Sequence, residues 1–459
     1  MKNTPEKLPR IAVKFANTVF VLGMLYSILL IVFAIYKIYN PPGPVSPAFH
    51  IISILFGAVF AVLFGFGLKK LSNNLKVNLS LLFFTVGITV YGFETYLEFH
   101  KSVSYDSRTK MEVLDDLRDS GVEAYPNALP SGYMFSNGLT TKKGRIYPLG
   151  TISNSTTILL NELGYYPVIE TDEHGFNNPK GLYKENKVDI ILTGDSFTEG
   201  YSVHSNETIS AVLRQLDFNA ISIGKGGNGS LIELAALKEY AEPLKPKIVL
   251  WLYYKNDLID LKFEMQSSLL RKYLNEDDYS QNLINRQKEI DSVLKNYIQI
   301  KWERQKNKDN KIVKKKIEWI INLLKLTELR RMINLRPIPA ATLTAAPVPK
   351  SIFRDILQKS NQMISRMDGK MYFVYLPSFV RYSTGKEDQY RDFIMQTATE
   401  LNIPIIDIHE EVFDSHPDPL SLFPFRMWGH YNAEGYKLVA ELIGKRLEAD
   451  GYVPIKSSK

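Results

Sequence analysis

Two short motifs carry side chains that can do chemistry together: Gly194-Asp195-Ser196 and His430-Tyr431-Asn432. Ser196 follows the apolar run Val188-Asp189-Ile190-Ile191-Leu192-Thr193, so it sits on a tight turn leaving a buried strand. A serine hydroxyl attacks a carbonyl only when a base takes its proton and donors stabilise the oxyanion that forms. His430 is the candidate base. Asn432 is a natural cap for the helix that follows, which leaves the histidine on the preceding loop with its ring free. His50 falls in one apolar stretch, His100 lies just after another, beside the membrane, and His174, His204, His409 and His416 lack such a loop-to-helix setting.

Candidate oxyanion donors fall at comparable places. The Ser196 amide lies at a helix N-terminus, where N–H groups have no partner within the helix. Ile221-Ser222-Ile223-Gly224-Lys225-Gly226-Gly227-Asn228-Gly229 is a strand running into glycines, so the Gly227 amide can approach a substrate closely. Tyr253-Tyr254-Lys255-Asn256-Asp257 ends another apolar run, and the Asn256 side-chain amide can complete the hole. Taken singly, these are ordinary turns, loops and helix caps. Their common position at strand ends is what points to a site.

The elements that must position these groups are legible from Lys187 onward. Strands are expected at Val188–Thr193, Ala220–Ile223, Ile248–Tyr254, Met371–Leu376 and Pro404–Ile408. Helices are expected at Thr208–Leu216, Leu231–Ala241, Ile352–Met367, Gln389–Leu401 and Ala433–Ala449. Such alternation predicts an α/β domain with a mostly parallel sheet covered on both faces, and ligands bind at the carboxyl ends of such strands. A charged, helical stretch over about 258–350 interrupts it as an insertion, ending in the Pro/Ala sequence from Arg336 to Ala341. Residues 101–186 are polar and turn-rich, a small β-rich lead-in with strand-like pieces at Ile158-Leu159-Leu160 and Tyr165–Ile169.

These blocks resemble the SGNH (GDSL-type) hydrolase family, with the match running from about Asp189 to Leu447. Ser196 looks like the nucleophile block, Gly227 the glycine block, Asn256 the asparagine block and His430 the histidine block. The upstream Thr171-Asp172-Glu173-His174-Gly175-Phe176-Asn177 is similar to a segment of membrane-associated members. The resemblance implies a flavodoxin-like three-layer α/β/α fold and acyl-group cleavage or transfer with no metal or other cofactor. Tyr254 stands where the family usually has glycine, and Met427 where it usually has the acid that orients the histidine. Three resolutions are open: a Ser–His dyad held by a backbone carbonyl, an acid supplied by Asp407, Asp414 or Asp418, or loss of activity.

The remainder of the 459-residue chain is of another character. Asn17–Tyr36, His50–Leu68 and Val77–Leu97 are apolar stretches in which Glu94 is the only charged residue. Each matches the roughly 20 residues a helix needs to cross a bilayer, and residues 1–100 are read as a three-helix transmembrane region. Lys2, Lys7, Arg10 and Lys14 precede the first stretch, while Lys69, Lys70 and Lys76 separate the second from the third. The positive-inside rule then places the N-terminus in the cytoplasm of a bacterial plasma (inner) membrane protein, and everything after about residue 98, including residues 187–455, outside it. The absence of cysteine excludes disulfides, a thiolate nucleophile and cysteine metal sites.

The net charge of +7 is concentrated partly in Lys301–Arg336, which reads as a solvated face or a surface for anionic lipid or acidic glycan, with no nucleic-acid partner. The expected function is a membrane-anchored extracytoplasmic serine esterase whose partners are the lipid bilayer and an acyl-ester substrate. An O-acyltransferase acting on an envelope glycan or lipid is the first alternative. A catalytically silent glycan-binding or scaffold protein is the second.

Overall fold

The computed structural model describes residues 8–39, 47–99, 106, 108–183, 188–309, 323–332 and 349–453. It divides into two compact units, one formed by 1–102 with 311–347 and the other by 103–310 with 348–459.

The first unit contains the helices Arg10–Tyr39, Pro47–Lys70 and Asn73–Phe99. All three are long and apolar enough to cross a membrane, with mean hydropathies of 2.6, 2.6 and 1.5 over their most apolar windows. Apolar residues lie on every side of them, and Leu25, Leu29, Ile52, Leu55, Leu82 and Val86 face outward. A helix apolar all round suits a surrounding of lipid rather than water. The helices pack through aromatic edges, as between Phe20 and Phe64 at 5.6 Å. Glu94, the one acid of these stretches, accepts a hydrogen bond at 2.7 Å from the Leu329 amide, in the first turn of the helix Thr327–Met332. A carboxylate there satisfies an amide that has no partner within its own helix. Lys314-Lys315-Lys316 and the Pro/Ala sequence after Arg336 lie outside the described residues.

The second unit is built on strands β1 (Leu139–Thr141), β2 (Gly144–Ile146), β3 (Thr156–Ile158), β4 (Val168–Glu170), β5 (Ile190–Gly194), β6 (Ala220–Ser222), β7 (Ile248–Tyr253), β8 (Lys370–Tyr375) and β9 (Ile405–Asp407). The last five form one parallel sheet in the order β6-β5-β7-β8-β9. This is the doubly wound, flavodoxin-like order, whose switch point lies at the carboxyl ends of β5 and β7.

Alternation along the strands divides the core. Ile191, Val249, Trp251 and Phe373 point to one face with Leu231, Leu234, Phe353 and Ile394. Ile190, Leu250, Tyr372 and Ile406 point to the other with Ile209, Leu213, Val439 and Ile443. Both faces are therefore covered by helices, which makes three layers and explains why these strands are apolar throughout rather than alternating with polar residues. Every strand and helix expected after Lys187 is present with ends shifted by at most two residues, except that the helix expected at Leu231–Ala241 is α-helical over Ser230–Ala236 and widens to a π-helix over Leu237–Ala241.

Residues 258–350 fall between β7 and β8. They include the helices Ser268–Asn275 and Gln287–Asp309, which belong to the same unit as the sheet. The segment before β5 forms the antiparallel pairs β1–β2 and β3–β4. It also contains the helix Lys110–Asp119, closed by a reciprocal Thr109–Glu112 capping box that the sequence analysis did not single out. Tyr133, Tyr147, Ile152 and Phe176 from this segment enter the core on the Trp251 face of the sheet.

Candidate active site

The turn after β5 is set by Gly194. Its φ is +154°, and a Cβ there would lie 2.2 Å from Thr198 Oγ1 and 2.7 Å from the Leu252 carbonyl oxygen on β7. Only glycine lets the chain turn this tightly against the neighbouring strand. Asp195 caps the short helix Ser196–Glu199 by accepting from the Phe197 amide at 2.9 Å. Ser196 is thereby presented, partly exposed, at the carboxyl edge of the sheet.

His430 reaches it from the far end of the chain. The Nε2 atom lies 2.7 Å from Ser196 Oγ. The loop carrying His430 is anchored by Asn432, which accepts from the Gly435 amide and donates to the Ser421 carbonyl. The Phe197 ring packs 4.6 Å and the Tyr201 ring 5.2 Å from the imidazole, so its plane is held from two sides.

The acid comes from neither a dyad arrangement nor the candidates named from sequence. Glu162, in the loop joining β3 to β4, places Oε2 3.0 Å from His430 Nδ1. The same oxygen accepts from the His430 amide at 2.8 Å and from the Ser202 hydroxyl at 2.6 Å. Asp407 is bound to Arg391 and Asp418 to Arg426. Neither they nor Asp414 hydrogen-bonds to His430. Gly429 makes room for the carboxylate, because a Cβ there would meet Glu162 Oε2 at 2.9 Å. Burial works to raise the Glu162 carboxyl, but hydrogen bonds and charge from His430, helped by Ser202, outweigh it and hold the group below its ordinary range. An ionised Glu162 accepts the Nδ1 proton, which leaves the Nε2 lone pair directed at Ser196.

The oxyanion candidates are brought to the same edge. The amides of Ser196 and Gly227 have no hydrogen-bond partner among the described residues. Asn256 donates from Nδ2 to Asp260 Oδ2 at 2.9 Å and also interacts with the Asp195 carboxylate, which holds its side-chain amide beside the serine turn. The glycine loop is fixed to the serine turn through a buried ion pair between Lys225 and Glu199, 1% and 0% exposed at their side chains. Glu199 Oε2 accepts from the Gly226 amide at 2.7 Å. Asn127 completes the group, donating to Glu199 Oε1 and accepting from Lys225 Nζ.

The Asp172–Asn178 region acts as a brace. Asp172 accepts from the His174 and Phe176 amides and from Asn178 Nδ2. Asn178 in turn pairs with both the amide and the carbonyl of Ser222 at the end of β6, at 2.8 Å each. Asn177 donates to the Glu199 carbonyl. Glu162, Glu199 and Lys225 join the site without a motif in the sequence to mark them. Met427 in the usual acid position was a signal that the carboxylate comes from elsewhere, but nothing around Glu162 itself marks it.

No family model and no curated protein matches the chain. Solved structures to which it is similar include a lipase/acylhydrolase from Enterococcus faecalis, 12% identical with a TM-score of 0.33, covering 59% of this chain and 100% of that one. A member of the lipolytic protein G-D-S-L family from Veillonella parvula is 14% identical, TM-score 0.31, over 56% and 96% of the two chains. A psychrotrophic esterase from Pseudoalteromonas sp. is 11% identical, TM-score 0.30, over 57% and 97%. The order of its motifs, the order of its sheet and the contact of serine, histidine and glutamate make the chain similar to the SGNH (GDSL-type) hydrolases.

Proposed function

We propose that the protein is a membrane-anchored serine esterase acting on acyl esters outside the cytoplasm. The observation that carries this reading is the continuous hydrogen-bonded line from Ser196 Oγ through His430 to Glu162. Ser196 Oγ attacks the acyl carbon while its proton passes to His430 Nε2, and Glu162 stabilises the imidazolium. The amides of Ser196 and Gly227, with Asn256, donate to the oxyanion. As the tetrahedral species collapses, the ester C–O bond breaks and the leaving alkoxide takes the proton from Nε2. Water then attacks the acyl-enzyme and gives its proton to His430; the bond from the acyl carbon to Ser196 Oγ breaks, Oγ takes that proton from Nε2, and the acid leaves. A sugar hydroxyl in place of water turns the same cycle into acyl transfer.

The support that Glu162 gives His430 favours an active enzyme over a silent scaffold. Three long apolar helices, with basic residues before the first and between the second and third, support the anchoring and its orientation. A fluorophosphonate probe is expected to label the wild-type protein and not Ser196→Ala. Failure to label folded wild type overturns the reading. Acetate released into solution, rather than recovered on an added polysaccharide, separates hydrolysis from transfer.

A further inference from the structure

Behind the oxyanion loop lies a cavity of about 310 Å³ that none of the catalytic steps uses. Its walls come from the segment before β5 and from the helix Gln287–Asp309, with Lys110, Ser131, Tyr297, Lys301 and Trp302 giving it chemical character. It adjoins the site, because Ser131 Oγ lies 2.8 Å from where a Gly227 Cβ would stand. Its volume is at the small end of ligand sites, enough for a compact ring and too small for a long acyl chain.

Lys110 is the informative residue. It is half-buried in this wall, yet it has no hydrogen-bond or ion-pair partner among the described residues. The charges that act on it are Glu199 and Lys225, and these already neutralise one another in their own ion pair. A second ammonium, Lys301, lies 4.5 Å from the centroid of the Tyr297 ring on the same wall. The Arg118 guanidinium stacks 4.2 Å from the Trp302 ring, so the surroundings carry further positive charge. A half-buried cation without a counter-ion is partly desolvated, and a pocket that keeps one gains from an anion brought in from outside. Aromatic side chains beside cations fit a carbohydrate ring bearing an acidic group.

We propose that this cavity is a subsite for an acidic sugar residue of the substrate, its anion held by Lys110 and Lys301 and its ring lying against Tyr297. This inference rests on the esterase reading and narrows its substrate to acyl esters of an anionic glycan. The acidic sugar would lie on the Gly227 side of the reacting carbonyl, so that the pocket selects the glycan while Ser196 performs the chemistry.

Burial lowers the Lys110 ammonium to about 8, with Glu199 opposing the shift and Lys225 adding to it. The cationic form binds the anion, so affinity is expected to hold below pH 8 and to weaken as pH rises through that value.

The test is direct binding, measured by calorimetry on the full-length Ser196→Ala protein in nanodiscs. Trigalacturonate is the acidic probe, with maltotriose and sodium phosphate as comparisons. Trigalacturonate is expected to bind, maltotriose at least tenfold more weakly, and phosphate more weakly than trigalacturonate. Lys110→Gln and, independently, the exposed Lys301→Gln are each expected to weaken trigalacturonate tenfold or more, and Lys110→Arg to restore it. Equal binding of the acidic and neutral trisaccharides, or unaltered affinity in both folded lysine variants, overturns the proposal. So does preferential loading by nanodiscs of phosphatidylglycerol, which would make the ligand a lipid. Fluorophosphonate labelling of the wild type keeps the two readings apart. Labelling without trigalacturonate binding sinks the subsite alone, and binding without labelling sinks the esterase alone.

Discussion

The five-stranded sheet and the segment that precedes it contribute to one site in opposite ways. The sheet supplies Ser196, Gly227 and Asn256 at strand ends that the local sequence marks. The preceding segment supplies Glu162 from a loop between two three-residue strands, and its place is fixed only by what it touches. A sheet edge can present a serine from a locally written turn, while the carboxylate that orients the histidine can be recruited from a distant chain segment that packs nearby.

The largest effect should come from cutting the recruited contact. Glu162→Gln keeps the shape and removes the charge that fixes the His430 tautomer, so kcat is expected to fall by about 10⁴-fold. Asp407→Asn and Asp418→Asn should leave kcat within about twofold, since both carboxylates face arginines instead. Ester hydrolysis at saturating substrate reads both, and an inactive Asp407→Asn beside an active Glu162→Gln would reverse the assignment.

Next is the buried bond between the serine turn and the glycine loop. Lys225→Met leaves Glu199 without its cation in a water-excluded place, with an expected loss of about 3–5 kcal/mol. Urea unfolding measures it, and a loss under about 1 kcal/mol would show that the pair is not buried as described.

A smaller effect is expected where the two regions meet beside His430. Gly429→Ala places a methyl group against Glu162 Oε2 and must push the carboxylate or the histidine loop aside. A displacement of about 1 Å at this distance from the chemistry costs on the order of 10²-fold in kcat, with little change in KM. An unchanged kcat would mean that the Glu162 loop yields without losing its hold on His430.

The smallest effect tests the brace. Asn178→Ala leaves the amide and carbonyl of Ser222 without their partner at the end of β6. About 1–3 kcal/mol of stability should be lost, read by thermal unfolding. A loss confined to the segment before β5, seen by hydrogen exchange while the sheet keeps its protection, would show that the two regions unfold separately.

The sheet was legible because its signals are short-range. Val188–Thr193 and Ile248–Tyr254 are apolar throughout, which is how a strand covered on both faces reads. Gly194 and Asn432 mark turns whose geometry a few adjacent residues decide. The helix Lys110–Asp119 was not singled out, although Thr109 and Glu112 form its capping box, because polar residues obscure a stripe that holds only Val113 and Leu114 as buried residues. Asp407 and Asp418 looked as suitable as any other carboxylate for orienting His430, since arginine partners such as Arg391 are recognised only once the chain is folded.

By itself the sequence determined the three long apolar helices, the doubly wound order of elements, and the serine and histidine that meet at the sheet edge. Periodicity and turn chemistry act over a few residues, so they are written locally. Tertiary structure alone decided that Glu162 holds His430, that Glu199 and Lys225 join the serine turn to the glycine loop, and that Lys110 is left with a cavity instead of a partner. Hydrogen bonds and ion pairs between distant segments depend on distances of about 3 Å, and only the packed chain sets those.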